Sequence, residues 1–118
     1  RVDIWAKSQP VGLALDRLHQ VLLENHPILF VRYEDLTKNP QTELDRIYDY
    51  LGVPKHKHNF TEVKQITEED DNVYGGAIDH TIRGNVKALP SDYDDVLGKQ
   101  TANNIKESYS WFYKTFGY

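Results

Sequence analysis

Ile28-Leu29-Phe30-Val31-Arg32-Tyr33-Glu34-Asp35-Leu36 is the stretch of sequence from which the fold is predicted. Its first four residues are an unbroken run of β-branched, aliphatic and aromatic side chains, which is typical of a strand buried on both faces of a parallel sheet. Pro27 precedes the run and favours a strand over a helix fragment. We therefore predict a central parallel strand at residues 28–32. Tyr33 then leaves the carboxyl end, where open α/β sheets bind their ligands.

Helical patterns lie on both sides of the predicted strand. An apolar stripe with helical spacing begins at Pro10, and Asn25-His26-Pro27 predicts its end. A second helix is predicted from Asn39-Pro40, with Asn39 as the N-cap and Pro40 in the first helical position. Gly52 is well placed as the left-handed residue that ends this helix.

The C-terminal region predicts further helices. Ser91 followed by Asp94 resembles a capping box, in which the first side chain caps the helix that follows. A last helix is predicted to stop near Gly117 and to carry one apolar face, formed by Ile105, Tyr109, Phe112, Tyr113 and Phe116. A single strand cannot form a sheet by itself, so we expect the neighbouring strands to be encoded before Arg1.

Composition limits the classes of function. The 118 residues include 14 basic and 18 acidic side chains, giving a net charge of -4, which argues against a broad nucleic-acid surface. The sequence contains no apolar stretch of bilayer-spanning length, so we expect a soluble, cytoplasmic protein that binds no membrane. There is no cysteine, which excludes disulfides and thiolate metal sites.

Two parts of the sequence resemble sulfotransferases. In that family a buried strand ends in a Tyr-Glu-Asp-Leu-like turn and leads into a helix that begins at a Pro and ends at a Leu-Gly pair. The stretch Ile28–Leu36 and the residues that follow it in this chain resemble this block. The following residues are Thr37-Lys38-Asn39-Pro40, Glu43-Leu44, Ile47 and Leu51-Gly52-Val53. The second part looks like the tail of tyrosylprotein and related bacterial sulfotransferases, through Asp79-His80-Thr81-Ile82-Arg83, Ala88-Leu89 and Phe116-Gly117-Tyr118.

The resemblance implies a fold and a reaction. The fold would be a P-loop-kinase-like three-layer α/β sulfotransferase fold. Residues 1–118 would form a single, partial C-terminal domain of it, mostly helical around the one central strand. The reaction would transfer a sulfuryl group from phosphoadenosine phosphosulfate (PAPS) to a hydroxyl or amine of an unknown acceptor. The family's Pro-Lys-Ser-Gly-Thr-like loop occurs nowhere in the sequence. We therefore expect that loop before Arg1, no catalytic residue here, and an inactive isolated chain.

The resemblance also implies cofactor-binding residues, because the family's irregular tail segment covers the nucleotide. These residues are Tyr33, His80, Thr81, Ile82, Arg83 and Lys87. Residues 80–90 contain no carboxylate, and an Arg and a Lys together suit a 3′-phosphate, since Arg offers a bidentate fork and Lys a point charge. The alternative is an ordinary exposed basic pair. We interpret Glu34 and Asp35 as structural rather than catalytic.

No metal site is predicted. His56 and His58 lie next to Lys55 and Lys57, which would repel a cation, and no carboxylate or third His lies at a ligand spacing. Asp70-x-Asn72 begins like a calcium loop, but Thr81 occupies the twelfth position, where such loops have Glu.

Two other functions stay open. The chain could be a stand-alone helical interaction module, with the aromatic residues of its last helix forming a partner surface, or a degenerate sulfotransferase that binds nucleotide without catalysis. A module must cover Ile28–Val31 with helices alone, whereas a sulfotransferase fragment needs neighbouring strands. If the chain is a sulfotransferase fragment, its exposed strand edge would favour self-association.

Overall fold

The computed structural model describes residues 7–8, 11–67, 70–75 and 80–118. The helix start predicted at Pro10 and the family-like Asp79 lie outside the described residues. The chain forms two compact units: one contains Arg1–Ile28 and Ser91–Tyr118, and the other contains Leu29–Pro90. The single sulfotransferase-like domain over residues 1–118 stays a prediction.

Regular structure in the described residues is helical. The helices are α1 (Val11–Leu23), α2 (Tyr33–Lys38), α3 (Pro40–Leu51), a 3₁₀ helix at Asp71–Tyr74, α4 (Tyr93–Leu97), α5 (Lys99–Ser108) and α6 (Ser110–Phe116). Within the unit Leu29–Pro90, α2 packs against α3, and in the other unit α5 packs against both α4 and α6. Among the described residues, no helix combines the length and the apolar character that crossing a membrane requires.

The central parallel strand predicted at residues 28–32 is wrong, and with it the three-layer α/β class. The described part of the chain contains neither a strand nor a sheet. Ile28 is 42% exposed rather than buried on both faces. The carbonyl of Phe30 accepts a hydrogen bond from Nη2 of Arg46 on α3, at 2.9 Å. A strand exists only through pairing, and no described segment pairs with this apolar run. The strand edge expected to drive self-association is therefore absent from these residues.

The ends of the first and third helices follow the sequence signals. α1 ends at Leu23, and Asn25 has a φ of 52°, in the left-handed region. α3 begins at Pro40, but the side chain of Asn39 makes no capping hydrogen bond. At its other end Gly52 has a φ of 67°, and its N–H donates to the carbonyl of Asp49 at 3.2 Å.

The C-terminal end of α3 is a Schellman motif. Besides the bond made by Gly52, the N–H of Val53 donates to the carbonyl of Tyr48 at 3.1 Å, which is the second bond of that motif. The left-handed conformation predicted for Gly52 is thus confirmed. It matters for the candidate site because it directs the chain away from α3 into residues 53–67.

The C-terminal helices depart from the predicted pattern in two places. Asp92, not Ser91, occupies the N-cap of α4, and no side-chain cap bond forms, so the predicted capping box is wrong. The predicted last helix is interrupted at Tyr109 (φ -115°, ψ 32°), which separates α5 from α6. The stop near Gly117 is confirmed, since α6 ends at Phe116 and Gly117 has a φ of 70°.

Aromatic packing organises the unit that contains both chain ends. The ring of Trp111 on α6 stacks on His19 of α1, with centroids 4.4 Å apart and planes at 14°. Phe112 packs on Phe116 at 5.0 Å and stacks on Tyr118 at 5.5 Å. Stacked and edge-on pairs of this kind stabilise a fold beyond the area that they bury. The aromatic side chains of α6 are therefore engaged in internal packing.

The link between α4 and α5 is electrostatic. The ammonium of Lys106 lies 4.9 Å from the centroid of the Tyr93 ring, within the range of a cation–π interaction. A side-chain hydrogen bond with Tyr93 raises the pKa of Lys106 above its ordinary value. Nearby, Ala102 on α5 is 2% exposed, the one buried hydrophobic side chain found among the described residues.

The left-handed end of α3 gives a stability prediction. We expect Gly52→Ala to lower the free energy of unfolding by about 1 kcal/mol, because an L side chain is disfavoured at positive φ. A Cβ there would meet no atom within 4 Å, so the cost is one of backbone conformation alone. Urea unfolding followed by far-UV circular dichroism measures it.

Gly84→Ala is the matched control, since a Cβ at Gly84 also meets nothing within 4 Å and its φ lies outside the positive range. We expect this variant to lose no stability. An equal loss in both variants would contradict the conformational explanation.

Candidate functional site

A cavity of about 320 Å³ lies within the unit Leu29–Pro90. Its walls come from α2 and from the irregular segment 81–89, and the lining residues are Tyr33, Thr37, Thr81, Arg83, Asn85, Val86, Lys87 and Leu89. Four of the six residues predicted to bind a cofactor thus lie around one cavity: Tyr33, Thr81, Arg83 and Lys87. The other two, His80 and Ile82, do not line it.

The helix α2 contributes one face to the cavity. Thr37 follows Tyr33 by four residues, which places both side chains on the same side of a helix. The Thr37 hydroxyl donates to the carbonyl of Tyr33 at 2.9 Å and approaches the carbonyl of Glu34 at 3.3 Å. Because its proton is used inside the helix, the Thr37 oxygen is available to a ligand only as an acceptor. Tyr33 is 59% exposed, which leaves its ring accessible.

The irregular segment contributes alternate side chains. Thr81, Arg83, Asn85, Lys87 and Leu89 line the cavity at alternate positions, and Val86 joins them after the bend at 84–85. Alternation with a period of two is what a non-helical, extended chain produces. Of the four consecutive residues chosen from the sequence, His80 to Arg83, Thr81 and Arg83 line the cavity, and their role in binding stays a prediction.

Backbone hydrogen bonds hold the irregular segment against residues 60–63. The N–H of Val63 donates to the carbonyl of Gly84 at 2.9 Å, and the N–H of Val86 donates to the carbonyl of Phe60 at 2.8 Å. The side-chain amide of Asn85, oriented so that its nitrogen faces acceptors, donates to the carbonyl of Thr61 at 2.6 Å. These contacts fix the part of the segment that carries Arg83 and Lys87 without any helix or sheet.

His80 anchors the start of this segment. Its N–H donates to Oδ2 of Asp71 at 3.2 Å, and its ring Nδ1 is hydrogen-bonded to the same carboxylate. Asp71 is itself held in the 3₁₀ helix Asp71–Tyr74, whose N-cap Asp70 accepts the N–H of Asn72 at 3.0 Å. The structure therefore gives His80 a structural contact next to the cavity rather than a position in its wall.

The charge of the cavity wall is positive. Arg83 and Lys87 line it, and no carboxylate is among the lining residues in the described part of the chain. Thr81, Thr37 and Asn85 add hydroxyl and amide groups, while Val86 and Leu89 add apolar surface. The two cations suit a small anion, and Arg in particular suits a phosphate.

Sequence reasoning missed Thr37, Asn85, Val86 and Leu89. Thr37 lies one helical turn from Tyr33, but a turn rather than a helix was predicted there, and Asn85 and Leu89 follow Arg83 with a period of two in a segment for which no strand was predicted. Val86 breaks that period. Its position depends on its backbone hydrogen bond to Phe60, which no local sequence pattern predicts.

The His56 and His58 region is engaged in local packing. Gln41 on α3 donates to the carbonyl of His56 at 3.0 Å and accepts the N–H of His58 at 3.1 Å. The Tyr48 hydroxyl is hydrogen-bonded to Nε2 of His58. Across the residues that the structure describes, no three His, Asp or Glu side chains form a metal-ligand group.

Comparison with known proteins identifies the family. The sequence matches the sulfotransferase domain over residues 5–72, more than half of its 118 residues. The chain belongs to the sulfotransferase domain family. Within this family member, Tyr33 and Thr37 fall inside the matched region, whereas the other residues that line the cavity lie beyond residue 72. No solved structure matches the chain.

The anchoring of His80 gives a prediction about the free protein. We expect Asp71→Ala to speed the hydrogen exchange of the His80 amide about fivefold, because the carboxylate that accepts this N–H is removed. Solvent-exchange NMR on the ¹⁵N-labelled chain measures the rate. Asp16→Ala, on the exposed side of α1, is the control and should leave it unchanged. An unaltered rate in the Asp71 variant would show that the contact does not persist in solution.

Proposed function

We propose that this chain contributes a nucleotide-binding segment to a PAPS-dependent sulfotransferase, with the cavity beside Arg83 as the site. The observation that carries the proposal is the convergence of Tyr33, Thr81, Arg83 and Lys87 on one cavity, in a chain of the sulfotransferase domain family. The family-like tail residues, His80-Thr81-Ile82-Arg83 and Phe116-Gly117-Tyr118, support a tyrosylprotein or bacterial subtype.

The cavity is suited to the phosphorylated ribose of the nucleotide. Ligand pockets span about 300–1,000 Å³, so a volume of about 320 Å³ lies at the lower end of that range. Arg83 would hold the 3′-phosphate through two parallel hydrogen bonds, and Lys87 would add a point charge. The exposed ring of Tyr33 would offer a surface for the sugar or base.

The reaction of the parent enzyme would move a sulfuryl group. The bond between sulfur and the oxygen of the 5′-phosphate breaks as a bond forms between sulfur and the acceptor oxygen or nitrogen, and the acceptor proton passes to a base. As in phosphoryl transfer, the protein mainly positions the reactants and stabilises charge. We assign no catalytic residue to this chain, and we propose that on its own it binds nucleotide without transferring sulfate.

The helical interaction module is the weaker candidate. One observation favours it: the apolar run Ile28–Val31 is hydrogen-bonded to a helix rather than paired in a sheet. A second opposes it, because Trp111 and Phe112 are used in stacking within their own unit rather than presented as a partner surface. The family match and the cation-lined cavity together favour nucleotide binding.

Nucleotide affinity tests the proposal. We expect Arg83→Ala to weaken binding of 3′-phosphoadenosine 5′-phosphate (PAP) roughly 10- to 100-fold, which is the loss expected for hydrogen bonds to a charged group. Binding of adenosine 5′-monophosphate, which lacks the 3′-phosphate, should be affected much less. Isothermal titration calorimetry on the 118-residue chain measures both.

Arg17→Ala is the matched control, since Arg17 is an exposed arginine on α1 that bonds to Gln20 and does not line the cavity. It should leave PAP affinity unchanged. Equal affinity in the Arg83 variant and the unmodified chain would contradict the assignment of this residue. Failure of the unmodified chain to bind PAP would contradict the proposed function itself.

A further inference from the structure

Gln65 makes a long-range contact to the cavity segment. Its side-chain oxygen Oε1 accepts the N–H of Ile82 at 3.0 Å, across 17 residues of sequence, and its amide nitrogen donates to the carbonyl of Thr67 at 3.0 Å. Gln65 does not line the cavity, and it is exposed. The Gln65 side chain thus accepts a hydrogen bond that the backbone carbonyl of a neighbouring strand would accept in a sheet.

The contact completes a regular arrangement. The backbones of Ile82, Gly84 and Val86 are each hydrogen-bonded to residues 60–65, through Gln65, Val63 and Phe60 respectively. The intervening residues Arg83 and Asn85 line the cavity, as do Thr81 and Lys87 on either side. Backbone groups of even-numbered residues therefore anchor the segment that carries Arg83 and Lys87.

The bond at Ile82 governs Arg83 most directly. The anchored N–H belongs to the peptide that joins Thr81 to Ile82, and Arg83 is the next residue along the chain. Gly84 follows, and glycine leaves the backbone freer than any other residue. Without the Gln65 contact, the peptide before Arg83 would be unanchored while Val63 still held the carbonyl of Gly84, and the guanidinium would sample more positions.

We propose that Gln65 is a positioning residue for nucleotide binding, which acts on the 3′-phosphate through Ile82 and Arg83. This inference rests on the proposed function. This role requires a hydrogen-bond acceptor at the end of the side chain of residue 65. The amide N–H of Gln65 donates to Thr67 and is not needed to position Arg83.

The first experiment measures PAP affinity by calorimetry in the 118-residue chain. Gln65→Met keeps the length of the side chain but removes the strong acceptor, and we expect PAP to bind about fivefold more weakly. Gln100→Met is the matched control, since Gln100 is an exposed glutamine on α5 whose amide donates to Asn104 of the same helix. It should leave the affinity unchanged.

A double-mutant cycle separates positioning from a general loss of structure. In the Arg83→Ala background, Gln65→Met should weaken binding less than about twofold, because the residue on which Gln65 acts is gone. Equal factors in both backgrounds would overturn the inference, as would unchanged affinity in the single variant while the unmodified chain binds PAP. If the unmodified chain binds no PAP, the proposed function and this inference both fall.

Hydrogen exchange of the Ile82 amide in the protein without nucleotide is a second test. Gln65→Met should speed hydrogen exchange of the Ile82 amide, and Gln65→Glu should restore the slower rate, because its carboxylate keeps an acceptor at the same reach. A rate that Gln65→Glu does not restore would overturn the role assigned to the acceptor oxygen.

Discussion

The candidate site depends on how an irregular segment is held without a sheet. Two backbone hydrogen bonds, from Val63 to Gly84 and from Val86 to Phe60, fix residues 84–86 against residues 60–63. Residues on both sides of this anchored stretch, Arg83 and Lys87, line one cavity with α2. The two bonds therefore position the stretch that lies between these cations.

Several local features could be predicted because they depend on short-range chemistry. A glycine after the last turn of α3 is the residue that tolerates a left-handed backbone, and Gly52 has this conformation. Proline fits the first turn of a helix because its missing N–H costs nothing there, and α3 begins at Pro40. The residues that line the cavity were partly predictable through the family resemblance, which pointed to Tyr33 and to the segment around Arg83.

The main feature that was mispredicted, the strand at residues 28–32, depends on partners far along the chain. The run Ile28–Val31 has the composition of a buried strand, but composition cannot supply a second strand, and Arg46 of α3 bonds to it instead. Ser91 and Asp94 show a second, local case, in which the predicted capping pattern is one residue out of register with the helix that forms. The roles of Thr81, Ile82 and Arg83 stay predictions, with the N–H of Ile82 bonded to Gln65.

The most direct test of the account is an NMR structure determination of the isotope-labelled chain with PAP, using intermolecular NOEs to locate the nucleotide. The account predicts contacts from the ligand to Tyr33 and to the side chains of Thr81, Arg83, Asn85 and Lys87, with none to the side chain of Ile82. Contacts to Ile82 and His80 in place of their odd-numbered neighbours, or a nucleotide bound away from this cavity, would contradict it.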